Sequence, residues 1–280
     1  MEPFILSAFA DEFDQIFSTQ LAALKERSIP QIELRGVDGA SIADIDSQRA
    51  RQLKSELDAA GIGVSAVGSP VGKVRLSDPF EPHFELFKRM LELAHIVGAA
   101  RIRLFSFYGC PDKAAARDEV LARLMRMAGA ARGSGVLLCH ENEKDLYGDT
   151  AEACVDICRS VPDVKAVFDP ANFVQCGVDP WDAWIQLAPY VEYMHVKDCA
   201  RTGEVLPCGQ GDGRLVKILR AYRAGGGRLL SLEPHLFDFA GLSGLQSHPL
   251  TRAVAYATPA DAFDAALVAL RECIKIIDNE

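Results

Sequence analysis

No long uncharged apolar run occurs in the 280 residues, so nothing in the sequence is suited to cross a bilayer as a helix. The first residues, Met1-Glu2-Pro3-Phe4, carry no basic segment leading into an apolar one, and no signal peptide is expected. Basic residues are outnumbered, 30 Lys and Arg against 39 Asp and Glu, for a net charge of −9. That balance argues against a nucleic-acid-binding surface, which needs a basic stripe. No CxxC pair is present among the eight cysteines, which stand at positions 110, 139, 154, 158, 176, 199, 208 and 273. Zinc-ribbon and thioredoxin spacings are therefore absent, and a chain of this length needs no disulfide staples. Cys154 and Cys158, one helical turn apart, read as part of a buried stripe. Reduced thiols in a cytoplasmic protein are the expectation.

What remains is an ordinary globular composition, 49% apolar and 25% charged, ample for a full core. Short runs rich in Val, Ile, Leu and Phe recur along it, each followed by a longer segment of helical periodicity. The runs are Phe4–Ala8, Gln31–Leu34, Gly63–Val67, Arg101–Phe105, Val136–His140, Lys165–Phe168, Val191–His195 and Leu229–Leu232. Amphipathic stretches such as Phe84–Val97, Glu119–Arg132 and Leu215–Ala224 lie between them. Asp78-Pro79, Asp179-Pro180 and Thr258-Pro259 each offer a helix cap followed by proline, and Asp149 with Glu152 has capping-box spacing. Eight βα units without a break in composition predict an α/β fold, a single (β/α)8 TIM barrel over residues 1–280. The stretch Leu236–Ala257 after the eighth run lacks periodicity and is expected at the catalytic face, as a lid or an oligomer contact.

In such a barrel the active site forms where the strands end. The last four runs, VLLCHE, VKAVFD, VEYMH and LLSLE, close on Glu141, Asp169, His195 and Glu233. An acid at a strand end is often only a helix cap or a solvated loop residue. Four ligand-type residues at the same place in four neighbouring units are harder to explain that way. Three carboxylates brought together repel unless a cation neutralises them, and with one imidazole they form a hard set suited to Mn²⁺, Zn²⁺ or Mg²⁺. Because side chains alternate along a strand, His140 should point away from the site and pack as a satisfied histidine. Glu143, Lys197 and His235 share the inward parity and would stand one step above the metal, within reach of substrate. Glu33 and Arg35 share a face on the second strand, where they either bind sugar hydroxyls or pair with each other. The glycine-rich run Gly209-Gln210-Gly211-Asp212-Gly213 matches neither GxGxxG after a strand nor a Walker motif, and reads as a turn in which Asp212 caps the next helix. His83, His95 and His248 have no ligand spacing.

The segments HENEK at 140–144, FDPANF at 168–173, MHVKD at 194–198 and SLEPH at 231–235 resemble the sugar phosphate isomerase/epimerase family. This is part of the xylose-isomerase-like barrel superfamily, which also contains ketose 3-epimerases, inosose dehydratases and endonuclease IV. The resemblance covers essentially the whole chain and implies one divalent metal held by Glu141, Asp169, His195 and Glu233. It further implies an isomerase or epimerase acting on a sugar or sugar phosphate through an enediolate, with the metal chelating adjacent substrate oxygens. Glu141 and Glu233 would exchange the proton, while Lys197 would bind a substrate oxygen or neutralise the developing oxyanion. Barrels of this kind are often homo-oligomers. Ketose 3-epimerases usually carry histidine three residues after the aspartate, whereas this chain has Asn172, a substrate-binding candidate without acid–base capacity. The alternative is an inosose-dehydratase-like lyase on a cyclic polyol ketone. Phosphodiester cleavage would call for several metals, more histidines and an electropositive surface. A non-catalytic sugar-binding barrel would be expected to have lost one of the two glutamates.

Overall fold

The computed structural model describes residues 2–239 and 251–279. Eight strands carry the fold: β1 (Ile5–Ala8), β2 (Gln31–Leu34), β3 (Gly63–Gly68), β4 (Arg101–Leu104), β5 (Leu137–Glu141), β6 (Val164–Phe168), β7 (Val191–Val196) and β8 (Leu229–Leu232). They pair in the order β1-β8-β7-β6-β5-β4-β3-β2, every ladder parallel. The two ends of that order, β1 and β2, lie next to each other, so the sheet is a nearly closed barrel. Helices connect successive strands on the outside: α1 (Phe17–Glu26), α2 (Ser47–Ala60), α3 (Phe80–Val97), α4 (Lys113–Ala131), α5 (Ala151–Ser160), α6 (Pro170–Gln175), α7 (Pro180–Leu187), α8 (Leu215–Ala224) and α9 (Pro259–Asp278).

The strands stay buried on both faces, which is why they read as near-continuous apolar runs. Outward side chains such as Leu34, Leu104, Leu138, Phe168, Met194 and Leu230 pack under the helices. Inside the barrel, Ala66, Cys139, Val167, Tyr193 and Leu229 form a separate cluster closed below by Ile5 and Leu137. This plug fills the lower barrel and leaves polar side chains at the upper ends.

The helix starts follow local chemistry. Asp179 accepts from the Trp181 amide (2.9 Å) and Thr258 from the Asp261 amide (3.1 Å), each ahead of a proline that needs no partner for a missing N–H. Two expected starts differ. Thr150 caps α5 through the Ala153 amide, because Asp149 is drawn instead to the Lys113 ammonium (2.5 Å). At α3 the residue before the helix is Pro79 itself, and Asp78 closes a turn on the Arg75 carbonyl.

The loop after β3 folds back across the end of β4. The Phe105 amide donates to Val71 O (2.8 Å) and the Phe107 amide to Gly72 O (3.0 Å). Gly72 has φ +90°, and a Cβ there would lie 2.1 Å from Phe105 O, so only glycine fits. Its amide donates to His83 Nε2 (2.6 Å), which requires a neutral imidazole. Burial, with Arg123 adding to it, lowers the His83 pKa to about 4. The folded value lies below the unfolded one, so the folded state binds fewer protons and stability is lost as pH falls from about 6.5 toward 4. His83→Gln keeps an acceptor for Gly72 without titrating. The gap in unfolding midpoint between wild type and this variant should therefore move against the wild type across that interval. A gap constant with pH would refute the assignment.

The glycine-rich run wraps a carboxylate of the chain itself. Asp198 accepts from the amides of Cys199 (2.9 Å), Gly209 (2.8 Å), Gly211 (3.0 Å) and Gly213 (2.9 Å). Asp212 does not cap α8: its carboxylate takes the Arg201 amide, and α8 starts from Arg214 in a left-handed conformation with no side-chain cap. Strand Glu204–Leu206 pairs antiparallel with Asp198–Cys199 and parallel with Thr251–Arg252, tying the segment after β8 to the loop after β7. Half of the expected lid or oligomer contact, residues 240–250, lies outside the described residues, as does His248.

Candidate metal centre

The barrel brings Glu141, Asp169, His195 and Glu233 to one point. One ligand atom from each lies within 4.8 Å of the others, and all four residues are buried. Glu141 ends β5, Asp169 follows β6, His195 sits near the end of β7, and Glu233 follows β8. His195 Nδ1 faces the acids, 3.0 Å from Glu141 Oε1 and 3.4 Å from Glu233 Oε2. Asp169 is also the cap of α6, its Oδ1 accepting from the Asn172 amide (3.0 Å), which leaves Oδ2 to face the centre.

Surrounding groups fix these carboxylates. Arg103 Nη1 donates to Glu141 Oε2 (2.8 Å), and Asn172 Nδ2 donates to Glu141 Oε1 (3.2 Å) and to Asn142 O (2.9 Å). The Asn142 side chain in turn clasps the Asp169 backbone, donating to its carbonyl and accepting from its amide, both at 2.9 Å. Arg35 binds Asp11 through Nε and Nη2 (2.9 and 3.0 Å), Glu12 (3.0 Å) and Glu233 Oε1 (2.8 Å). Its guanidinium is sandwiched between the Phe9 and Phe239 rings, 4.3 Å from each centroid. Lys197 Nζ stands 3.0 Å from Asp169 Oδ2 and 3.6 Å from Glu233 Oε2. His235 Nε2 lies 3.4 Å from Glu233 Oε1 and 3.5 Å from Glu12 Oε1.

Electrostatics divide these acids. Burial works against the charge on Glu141, but His195 and Arg103 outweigh it and hold the carboxyl down to about 2. Burial also opposes the charge on Glu233, which Lys197 and His195 nonetheless keep well below the usual carboxylate range. For Asp169 burial prevails over Lys197 and lifts the carboxyl to about 7. Glu12 rises to about 8 through burial despite Arg35.

The donor set fits a divalent cation. Asp169 Oδ2 and Glu233 Oε2 are buried, make no hydrogen bond among the described residues, and share a single ammonium, that of Lys197. Three carboxylates buried this close together are costly unless positive charge meets them, and a divalent cation would supply it. Glu12, Glu233 and His235 form a second group of ligand type, but there the Arg35 guanidinium already occupies the shared oxygens. The chain supplies its own cation at that position.

Several sequence candidates take other places. Glu33 and Arg35 do not pair with each other. Arg35 reaches Glu233, while Glu33 lies beneath His195 with Tyr193 as its other partner. Glu143 pairs with Lys73 (3.0 Å). His140 points outward and is fully buried, yet neither ring nitrogen meets a hydrogen-bond partner among the described residues, so it packs without being satisfied. Asp11, Glu12, Arg103 and Asn142 escaped the sequence reading. Ala10-Asp11-Glu12 follows the first strand as the other acids follow theirs, and Arg103 has the inward parity of β4. Those two signals were available.

Residues 21–272 match the family model described as xylose isomerase-like TIM barrel. The chain belongs to that family. A structure of D-psicose 3-epimerase with D-tagatose from Clostridium cellulolyticum H10 aligns with a TM-score of 0.75 at 15% identity, over 97% of this chain and 99% of the other. The IOLI protein, described with a zinc atom, gives 0.75 at 16% identity over 97% and 98%. The probable 3-DHS dehydratase AsbF from Bacillus anthracis gives 0.73 at 17% identity over 96% and 99%. These likenesses show the xylose isomerase-like fold, on which the related structures include an epimerase and a probable dehydratase. A comparison with curated proteins gives no match. Among the described residues no helix is long and apolar enough to cross a membrane.

Proposed function

We propose that this barrel is a divalent-metal-dependent isomerase or epimerase of a sugar or sugar phosphate. One observation carries the reading: two glutamates, Glu141 at the end of β5 and Glu233 just after β8, reach the same imidazole nitrogen. Glu141, Asp169, His195 and Glu233 would hold the ion, Mn²⁺ or Zn²⁺ in the first place and Mg²⁺ also admissible. A bound divalent ion would polarise a substrate carbonyl and stabilise the enediolate left by deprotonation beside it.

The chain's own residues supply the rest. One glutamate accepts the proton from the carbon next to the carbonyl, and the other returns a proton from the opposite side. Return to the same carbon inverts it; return to its neighbour interconverts aldose and ketose. Arg103 and Asn172 keep Glu141 aimed inward, and Arg35 does the same for Glu233. Lys197, His235 and Asn172 border the centre and meet substrate oxygens, with Arg35 behind Glu233 and Glu143 farther out beside Lys73. A second reading is a lyase on a cyclic polyol ketone, which would pass through the same enediolate and expel a hydroxyl from the next carbon.

The test is incubation of Mn²⁺-loaded protein with ketoses and their phosphate esters in D₂O, read by mass and NMR. One carbon-bound deuterium with the skeleton intact supports epimerisation or isomerisation. Loss of water with a new carbonyl absorbance supports the lyase, and no exchange with any ketone would sink both.

A further inference from the structure

We infer that Glu33 is a positioning residue for the metal, holding the His195 ring so that Nδ1 faces the ion, and does not itself bind sugar. The inference rests on the metal centre proposed above. Glu33 is 1% exposed and its carboxylate is committed on both sides. Tyr193 Oη donates to Oε1 (2.8 Å), and His195 Nε2 lies 3.1 Å from Oε2 and 3.3 Å from Oε1. Once an ion displaces the proton from Nδ1, the nitrogen that faces Glu141 and Glu233, the imidazole would keep its other proton on Nε2, toward Glu33. A carboxylate behind a ligating histidine fixes its tautomer and orientation and makes the ring a stronger donor.

The backbone is shaped for this contact. The β2–β3 register shifts between Ile32 and Glu33, and the β6–β7 register shifts just before the Val167–Tyr193 pair. Such irregularities re-aim side chains. Here the extra residues are Ser65 on β3, opposite the step from Ile32 to Glu33, and Glu192 on β7, just before Tyr193, so both lie beside the column running from Tyr193 through Glu33 to His195 across the barrel. Phe9 and Tyr193 set their rings edge-on to His195, with centroids 5.1 and 5.5 Å away, leaving the ring little freedom to turn. A sugar hydroxyl would have to displace His195 to reach Glu33.

The experiment measures Mn²⁺ affinity and the visible spectrum of the Co²⁺-loaded protein for wild type, Glu33→Gln, Glu33→Ala and Tyr193→Phe. Loss of the carboxylate should weaken Mn²⁺ binding by about 10-fold in Glu33→Gln and up to about 100-fold in Glu33→Ala. The Co²⁺ bands should shift even at saturation, a change that loss of stability alone does not produce. Tyr193→Phe should move both readouts less and in the same direction. Glu33→Gln, nearly isosteric, keeps the test valid if Glu33→Ala fails to fold. Wild-type Mn²⁺ affinity together with an unshifted Co²⁺ spectrum in Glu33→Gln would overturn the inference. Failure of the wild type itself to take up either ion would overturn the metal centre, and is recognised before any variant is compared.

Discussion

Glu233→Gln should slow solvent deuterium exchange into substrate by about 10³-fold, within the usual range for removing a general acid or base. The change is nearly isosteric, and an amide oxygen can still accept from Arg35, which now holds Glu233 Oε1 at 2.8 Å. Packing therefore survives while the group loses its ability to take a proton and one anionic oxygen at the centre. Glu141→Gln should behave alike, because Arg103 and Asn172 grip that side chain as Arg35 grips Glu233. Glu192, at the opposite end of β7 and paired with Arg101, serves as the control: Glu192→Gln should leave the rate within about twofold. Exchange that persists at the wild-type rate in either active-site variant would remove the glutamate pair from the chemistry.

Asp198→Ala should cost about 2 kcal/mol or more, since two of the amides it strands, those of Cys199 and Gly213, are buried, and each buried donor left without a partner costs about 1–3 kcal/mol. Four amides converge on that carboxylate, from Cys199, Gly209, Gly211 and Gly213. The glycines permit the convergence: a Cβ at 211 or 213 would come within 2.4 or 2.6 Å of Asp198 Oδ1. Asp198→Asn should lose roughly half as much, because its amide nitrogen would face donors on one side and its oxygen would still accept on the other. Denaturant unfolding of the three proteins measures this directly. A cost below about 1 kcal/mol for the alanine variant would mean that the loop is held by something else.

Much of the architecture was legible because barrel strands are buried on both faces and so announce themselves as short apolar runs. The ligand set was legible for a related reason: a chemically capable residue stands at the end of each of the last four runs. Two kinds of feature were hidden. Groups that converge from distant parts of the chain, such as Arg103 on Glu141 across 38 positions or Arg35 on Glu233 across 198, leave no local pattern. Depth along a strand is equally silent, which is why Glu33 reads as a residue of the barrel mouth and lies beneath the histidine. The glycine-rich run shows a third limit. Its backbone amides do gather around an anion, and the anion is Asp198, supplied 11 to 15 residues earlier.

The most direct test of the account is the metal content of the purified protein. Equilibrium dialysis against Mn²⁺ and against Zn²⁺, read by elemental analysis, should give about one ion per chain in the wild type and none in Glu141→Gln/Glu233→Gln, with both proteins folded. A wild type that retains no ion after dialysis, or a double variant that retains it undiminished, would contradict the central claim and leave the barrel without its proposed chemistry.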